Sequence, residues 1–145
     1  MCRRRELRIH GFDYSTAGLY FVTSCTFDRA CIFGVVVEGT VLLSRFGVAA
    51  RDCLAAIPDH HGGVVVDASV VMPNHVHAIL ALDGRATLGA VLGTYKAGLS
   101  RLTGHRRFWQ RGYHDHVIRD EPDLARIREY IEHPLRWTLD PENPS

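Results

Sequence analysis

Apolar residues recur along this chain at two periods, one close to two and one close to three and a half. Residues 19–27, LYFVTSCTF, are rich in β-branched and aromatic side chains and predict a strand. In residues 35–43, VVVEGTVLL, Glu38-Gly39 separates two apolar runs, which predicts a hairpin. Residues 44–57, SRFGVAARDCLAAI, begin at a capping Ser44 and predict a helix that ends before Pro58. The runs VVVDASVVM (64–72) and HVHAILAL (75–82), joined by Pro73-Asn74, predict two strands around a tight turn. Thr87 caps a second helix whose Leu88, Val91, Leu92, Tyr95, Leu99 and Leu102 form one apolar stripe. A basic stretch, 103–113, then leads to YHDHVIR (113–119), a short strand. Asp120 caps a last helix with Pro122 in its first turn, apolar at Leu124, Ile127 and Ile131 and stopped by Pro134.

The order is strand, hairpin, helix, two strands, helix, short strand, helix. Tight turns favour antiparallel pairing, and the amphipathic helices need a sheet to cover. An α+β sandwich with the sheet on one side and the helices on the other satisfies both demands. The 145 residues suit one domain, read as 1–137, with an irregular tail at 138–145, TLDPENPS.

Composition narrows the class. Hydrophobic content is 46%, and no apolar run approaches the roughly 20 residues of a membrane span. The opening MCRRRELRIHGF has no apolar segment behind its charge, so it does not read as a secretory signal. Four cysteines (Cys2, Cys25, Cys31, Cys53) show no paired spacing, which suits reduced thiols in a cytoplasm. The net charge of +1 is unevenly spread. Lys96, Arg101, Arg106, Arg107, Arg111 and Arg119 face only Asp115 within 96–119, giving that block +5, and Phe108, Trp109 and Tyr113 are interleaved. Cations beside aromatics suit a phosphate backbone with bases to stack; a solvated loop in an arginine-rich chain is the plainer reading.

The stretch MPNHVHAIL (72–80) carries the most specific chemistry. Alternation along a strand sends His75 and His77 to one face, roughly 7 Å apart along the chain. Two neutral imidazoles so placed can converge on a divalent ion, although two ligands hold a metal poorly. On the last helix Leu124, Ile127 and Ile131 fall within about a 60° arc, and Tyr130 lies at its edge. A phenol there is ordinarily amphipathic packing, yet it can serve as a nucleophile toward phosphorus beside a metal. Tyr113, in a segment with His114, Asp115 and His116, competes for that role.

MPNHVHAIL, FWQRGYHDHVIRDEPDLARIREYI and PLRWTLDPENP, in this order and spacing, resemble the single-tyrosine HUH transposases, and within them the REP-associated tyrosine transposases. The opening GFDYSTAGLYFVTSCTFDRACIFG resembles the same family, so the likeness spans nearly the whole chain. It implies the HUH endonuclease fold, a ferredoxin-like antiparallel sheet of 4–5 strands with helices packed on it. It implies that Tyr130, rather than Tyr113, is the nucleophile, beside Mg²⁺ or Mn²⁺ held by His75 and His77. The expected activity is nicking and strand transfer of single-stranded DNA through a 5′-phosphotyrosine, with a hairpin-forming palindrome as substrate. The resemblance leaves open a homodimer in which Tyr130 serves its own histidines or a partner's.

One departure stands out. The family helix reads tyrosine, isoleucine, two variable residues, asparagine, proline, and that asparagine helps bind the metal. Here Pro134 stands in its place after Tyr130-Ile131-Glu132-His133. Either His133 supplies the third ligand, as a helix neighbour of Tyr130, or the metal site is weakened and the chain is a domesticated DNA-binding protein. A small metal- or ligand-binding domain without DNA is the remaining alternative. Candidate DNA contacts are Lys96, Arg101, Arg106, Arg107, Trp109, Arg111 and His116, with Arg3, Arg4 and Arg5 as a basic tip; for Trp109 core packing competes with base stacking, and for His116 an ion pair with Asp115.

Overall fold

The computed structural model describes residues 17–104 and 108–137. Arg106, Arg107, the tip Arg3–Arg5 and the tail 138–145 lie outside the described residues. The elements are β1 (Gly18–Cys25), β2 (Gly34–Val37), β3 (Thr40–Leu43), α1 (Arg45–Ala55), α2 (Ile57–His60), β4 (Val64–Met72), β5 (His75–Leu82), α3 (Leu88–Thr103), β6 (His114–Ile118), α4 (Glu121–Glu132) and α5 (Pro134–Trp137).

Four strands form one antiparallel sheet in the order β4-β5-β1-β6, and β2–β3 is a separate hairpin. With the hairpin set aside, the chain runs strand, helix, strand, strand, helix, strand, which is the ferredoxin-like arrangement expected. Glu38 and Gly39 both take positive φ (50° and 76°), the mirror-image turn whose twist matches a two-residue hairpin. The caps read from the sequence are made: Ser44, Thr87 and Asp120 each accept from a backbone N–H of the first turn. Pro58 does not simply end the first helix. After a break at Ala56 it sits in the first turn of α2, where a missing N–H costs nothing.

The helices do not all lie on one side. α1 and α3 cover one face, where Ala50, Leu54, Leu88, Val91, Leu92, Tyr95 and Leu99 pack on Tyr20, Val22, Val76, Ala78, Leu80 and Leu82. α4 covers the other, where Leu124, Ile127 and Ile131 meet Ile79 and Ile118, with Leu19, Phe21, Ala68 and Val70 beside them. The reason is that β5 is apolar on both faces, so each needs cover. Leu102, the end of the expected stripe on α3, is 67% exposed. No helix among the described residues is long and apolar enough to cross a membrane.

Candidate active site

His75 and His77 open β5, and strand alternation turns both toward the α4 face. Each is only 2% exposed, and their ring centroids are 4.6 Å apart. Burial, with the charge of Arg29 second, lowers the His75 imidazole to about 4. Burial and then His75 hold His77 well below its usual range. Both rings are therefore neutral at pH 7 and keep a lone pair for a ligand.

Each ring is oriented by a neighbour. His75 Nδ1 donates to Asn74 Oδ1 at 2.7 Å, while the Asn74 amide donates to the Arg29 carbonyl at 3.3 Å. An amide oxygen only accepts, so the His75 proton sits on Nδ1 and its Nε2 is the basic atom. His77 Nδ1 lies 2.8 Å from Thr23 Oγ1, its cross-strand partner on β1. Its Nε2 lies 3.0 Å from Tyr130 Oη. Phe21 stacks on His77 at 5.3 Å and meets Tyr130 edge-on at 6.0 Å, walling the pair on the β1 side.

α4 thus brings its half-buried tyrosine to the histidine pair within one chain. Tyr113 goes elsewhere. It is buried in the cluster beneath α1 and α3, its hydroxyl near Gly89 at the start of α3. The sheet between the two faces separates it from the imidazoles.

His133 lies at the end of the helix. It is the C-cap of α4, with φ −130° and ψ 60°, because a residue before proline is kept out of the helical region. Its ring is exposed. Among the described residues, the cluster of three or more candidate metal ligands within 4.8 Å of one another is Glu129, Glu132 and His133. It does not include the histidine pair. Two neutral, oriented imidazoles fit a divalent ion as two of its protein ligands; among the described residues no carboxylate, thiol or third imidazole joins them in a cluster of that size.

The other sequence-predicted contacts divide. Lys96 donates to the carbonyls of Gln110 and Gly112 and lies over the Trp109 ring, so its ammonium braces the 108–113 loop. Trp109 packs among Phe33, Phe108 and Tyr95, the core-packing alternative. Arg101 and Arg111 are exposed. His116 pairs with Asp123 of α4 at 2.7 Å, not with its neighbour Asp115, because adjacent strand residues point to opposite faces. Thr23, Asn74, Phe21 and Arg29 escaped the sequence reading. Only Asn74, adjacent to His75, carried a local signal. His114, opposite Thr23 in register, completes the row Val70–His77–Thr23–His114 across the sheet.

No protein-family model matches the chain. An uncharacterised protein of Haemophilus influenzae is 31% identical, over 94% of this chain and 91% of that protein. A solved REP-associated tyrosine transposase bound to a REP hairpin has a TM-score of 0.68 at 20% identity, covering 86% of this chain and 70% of that one. A candidate transposase from Deinococcus radiodurans r1 has a TM-score of 0.55 at 20% identity, over 86% and 95%. The chain belongs to one family with the Haemophilus influenzae protein, and its fold is that of the REP-associated tyrosine transposase, as the sequence resemblance implied.

Proposed function

We propose that this protein is a transposase-type nuclease that nicks and rejoins single-stranded DNA through Tyr130. The observation that carries the reading is the 3.0 Å approach of Tyr130 Oη to the oriented, neutral His77. A phenol buried for packing alone has no need of a second imidazole 4.6 Å beyond its partner.

In the proposed step Tyr130 Oη bonds to the scissile phosphorus as the 3′-oxygen leaves. The products are a 5′-phosphotyrosine and a 3′-hydroxyl, the phenol proton ending on that hydroxyl. A later 3′-hydroxyl reverses the step on a second strand, and the energy of the broken bond is kept in the adduct. Mg²⁺ or Mn²⁺ on His75 and His77, when bound, supplies Lewis-acid polarisation of the phosphate. Asn74 and Thr23 hold the two rings, and Phe21 shields the Tyr130–His77 contact from water. Arg29, whose charge acts on His75, is the cation best situated to meet the strand's phosphates. The substrate class is single-stranded DNA flanked by a hairpin palindrome, in keeping with the REP hairpin bound to the solved transposase.

A second reading has its own observation. With Pro134 following it, His133 groups with Glu129 and Glu132 rather than with the histidine pair, which suits a domesticated DNA-binding protein with weakened chemistry. One experiment separates the two. Hairpin-bearing single-stranded DNA is incubated with the protein and Mn²⁺, denatured, and resolved by size. A shifted adduct that Tyr130→Phe abolishes supports the nuclease. Binding without an adduct supports the second reading.

A further inference from the structure

The position of Tyr130 depends on how α4 lies on the sheet, and the structure shows what holds it. The strand β4 pairs with β5 in regular register except at one point: Val66 faces Leu80 and Ala68 faces Ile79. Asp67 is the extra residue, a β-bulge. The bulge switches the parity of the strand. Before it Val64 and Val66 pack with the α1/α3 cluster; after it Ala68 and Val70 face α4. Bulges of this kind are common beside active sites, where they re-aim a side chain.

Here the re-aimed side chain is a carboxylate that takes Arg128 of α4 in both of its oxygens. Arg128 Nε donates to Asp67 Oδ2 at 2.9 Å and Nη2 to Oδ1 at 2.7 Å. Toward the other end of the helix, Asp123 accepts from His116 of β6 at 2.7 Å. β4 and β6 are the two edges of the sheet, so α4 is clipped to both. Taking about 100° per residue, Asp123 and Tyr130 lie on one flank of the apolar arc and Arg128 on the other. Grips on opposite flanks oppose rotation of the helix about its axis. Isoleucines and a leucine sliding on a sheet do not, because apolar contact is non-directional.

We infer that Asp67 and Arg128 are positioning residues that set the roll of α4, and through it the placement of Tyr130 Oη against His77. This rests on the nuclease reading only for its consequence in rate. The geometric part stands without it. A bidentate arginine–carboxylate fork fixes direction as well as distance, which a lysine at 128 does not reproduce.

The test uses Arg128→Ala, Asp67→Ala, the exchange Asp67→Arg with Arg128→Asp, and Arg51→Ala as a control on the opposite face. Imidazole ¹⁵N NMR of His77 is recorded without DNA or metal. The Nε2 signal in Arg128→Ala and Asp67→Ala is expected to move toward its position in Tyr130→Phe, to return in the exchange variant, and to stay put in Arg51→Ala. In the adduct assay the single variants are expected to lose about 10- to 100-fold in rate at saturating DNA, the effect of an ångström-scale displacement, with half-saturating DNA within about twofold. The exchange variant recovers at least part of that rate, which loss of a phosphate contact does not predict. An unmoved His77 signal overturns the inference, as does weaker DNA binding at unchanged rate, which makes Arg128 a phosphate ligand instead. If the wild-type protein forms no adduct, the nuclease reading fails while the NMR comparison still decides the role of the clip.

Discussion

β5 shows two faces of one strand put to different uses. Val76, Ala78, Leu80 and Leu82 face α1 and α3, and that side is a dry core. His75, His77 and Ile79 face α4, where the apolar contact ends in two imidazoles, a threonine and a phenol. The dry face is non-directional and tolerates repacking, whereas the polar face works only if its few hydrogen bonds are kept. Stability therefore concentrates on one side and chemistry at one end of the other. Each side can be damaged without the other.

The largest contrast comes from one substitution on each face. Tyr130→Phe keeps the ring against Phe21 and removes the proposed nucleophile. Adduct formation should fall by at least about 1,000-fold, while urea unfolding moves by about 1 kcal/mol for a hydrogen bond lost at a buried histidine. Leu99→Ala, fully buried on the dry face, should do the reverse. It costs about 2–5 kcal/mol in urea unfolding and leaves the adduct rate of the folded fraction unchanged. Equal effects of both substitutions on both assays would erase the distinction between the faces.

Acid should attack the polar face first. His75 titrates near 4 in the folded chain and near 6.5 when unfolded. Above pH 6.5 it is neutral in both states and its protonation contributes nothing. Between 6.5 and 4 the unfolded chain takes up a proton that the folded chain refuses, so stability falls with pH, by roughly 3 kcal/mol across the window for this group. His77 acts in the same direction. Urea unfolding at pH 7 and pH 5 checks it, and Leu99→Ala should show the same slope because it removes no titratable group.

Metal affinity separates the ring-holding residues from the helix end. Asn74→Ala frees the His75 ring and should weaken Mn²⁺ binding by about 10- to 100-fold in calorimetry. His133→Ala should change it by less than about twofold. A loss at His133 as large as that at Asn74 would mean the helix end rearranges to complete the site. The smallest effect is expected on the DNA side. Arg29→Ala should lower the slope of log affinity against log salt by about 0.7; Lys96→Ala, bound to loop carbonyls, should leave the slope alone.

How much of this was visible in sequence follows from what kind of interaction makes each part. The strands and helices rest on local periodicity, and Ser44, Thr87, Asp120 and Glu38-Gly39 sit where their chemistry requires. The histidine pair and Tyr130 were legible as residues, since H-x-H on a strand and a tyrosine at the edge of an apolar arc are local patterns. Their convergence, which joins residues 53 apart through α4, was implied only by the family resemblance and not by any local pattern. Burial on both faces of β5 could be read in HVHAILAL, yet one-sided layering was expected, and α4 crosses to the other face. His133 takes the C-cap of α4 and groups with Glu129 and Glu132, a placement set by the proline one residue on and not by helical spacing alone. The loop carbonyls that hold Lys96 and the turn that brings Arg29's charge to His75 are remote in sequence from what they act on, so neither placement was legible. Asp67, an acid amid the valines of β4, gave no sign of a bulge until its partner strand was known.

The most direct measurement maps the covalent bond. The protein is reacted with hairpin-bearing single-stranded DNA and Mn²⁺, digested with nuclease and trypsin, and its phosphotyrosyl peptide identified by mass spectrometry. The account predicts the modification on the peptide 129–136, at Tyr130. Modification on the peptide 112–119, at Tyr113, or adduct formation that persists in Tyr130→Phe, would contradict it.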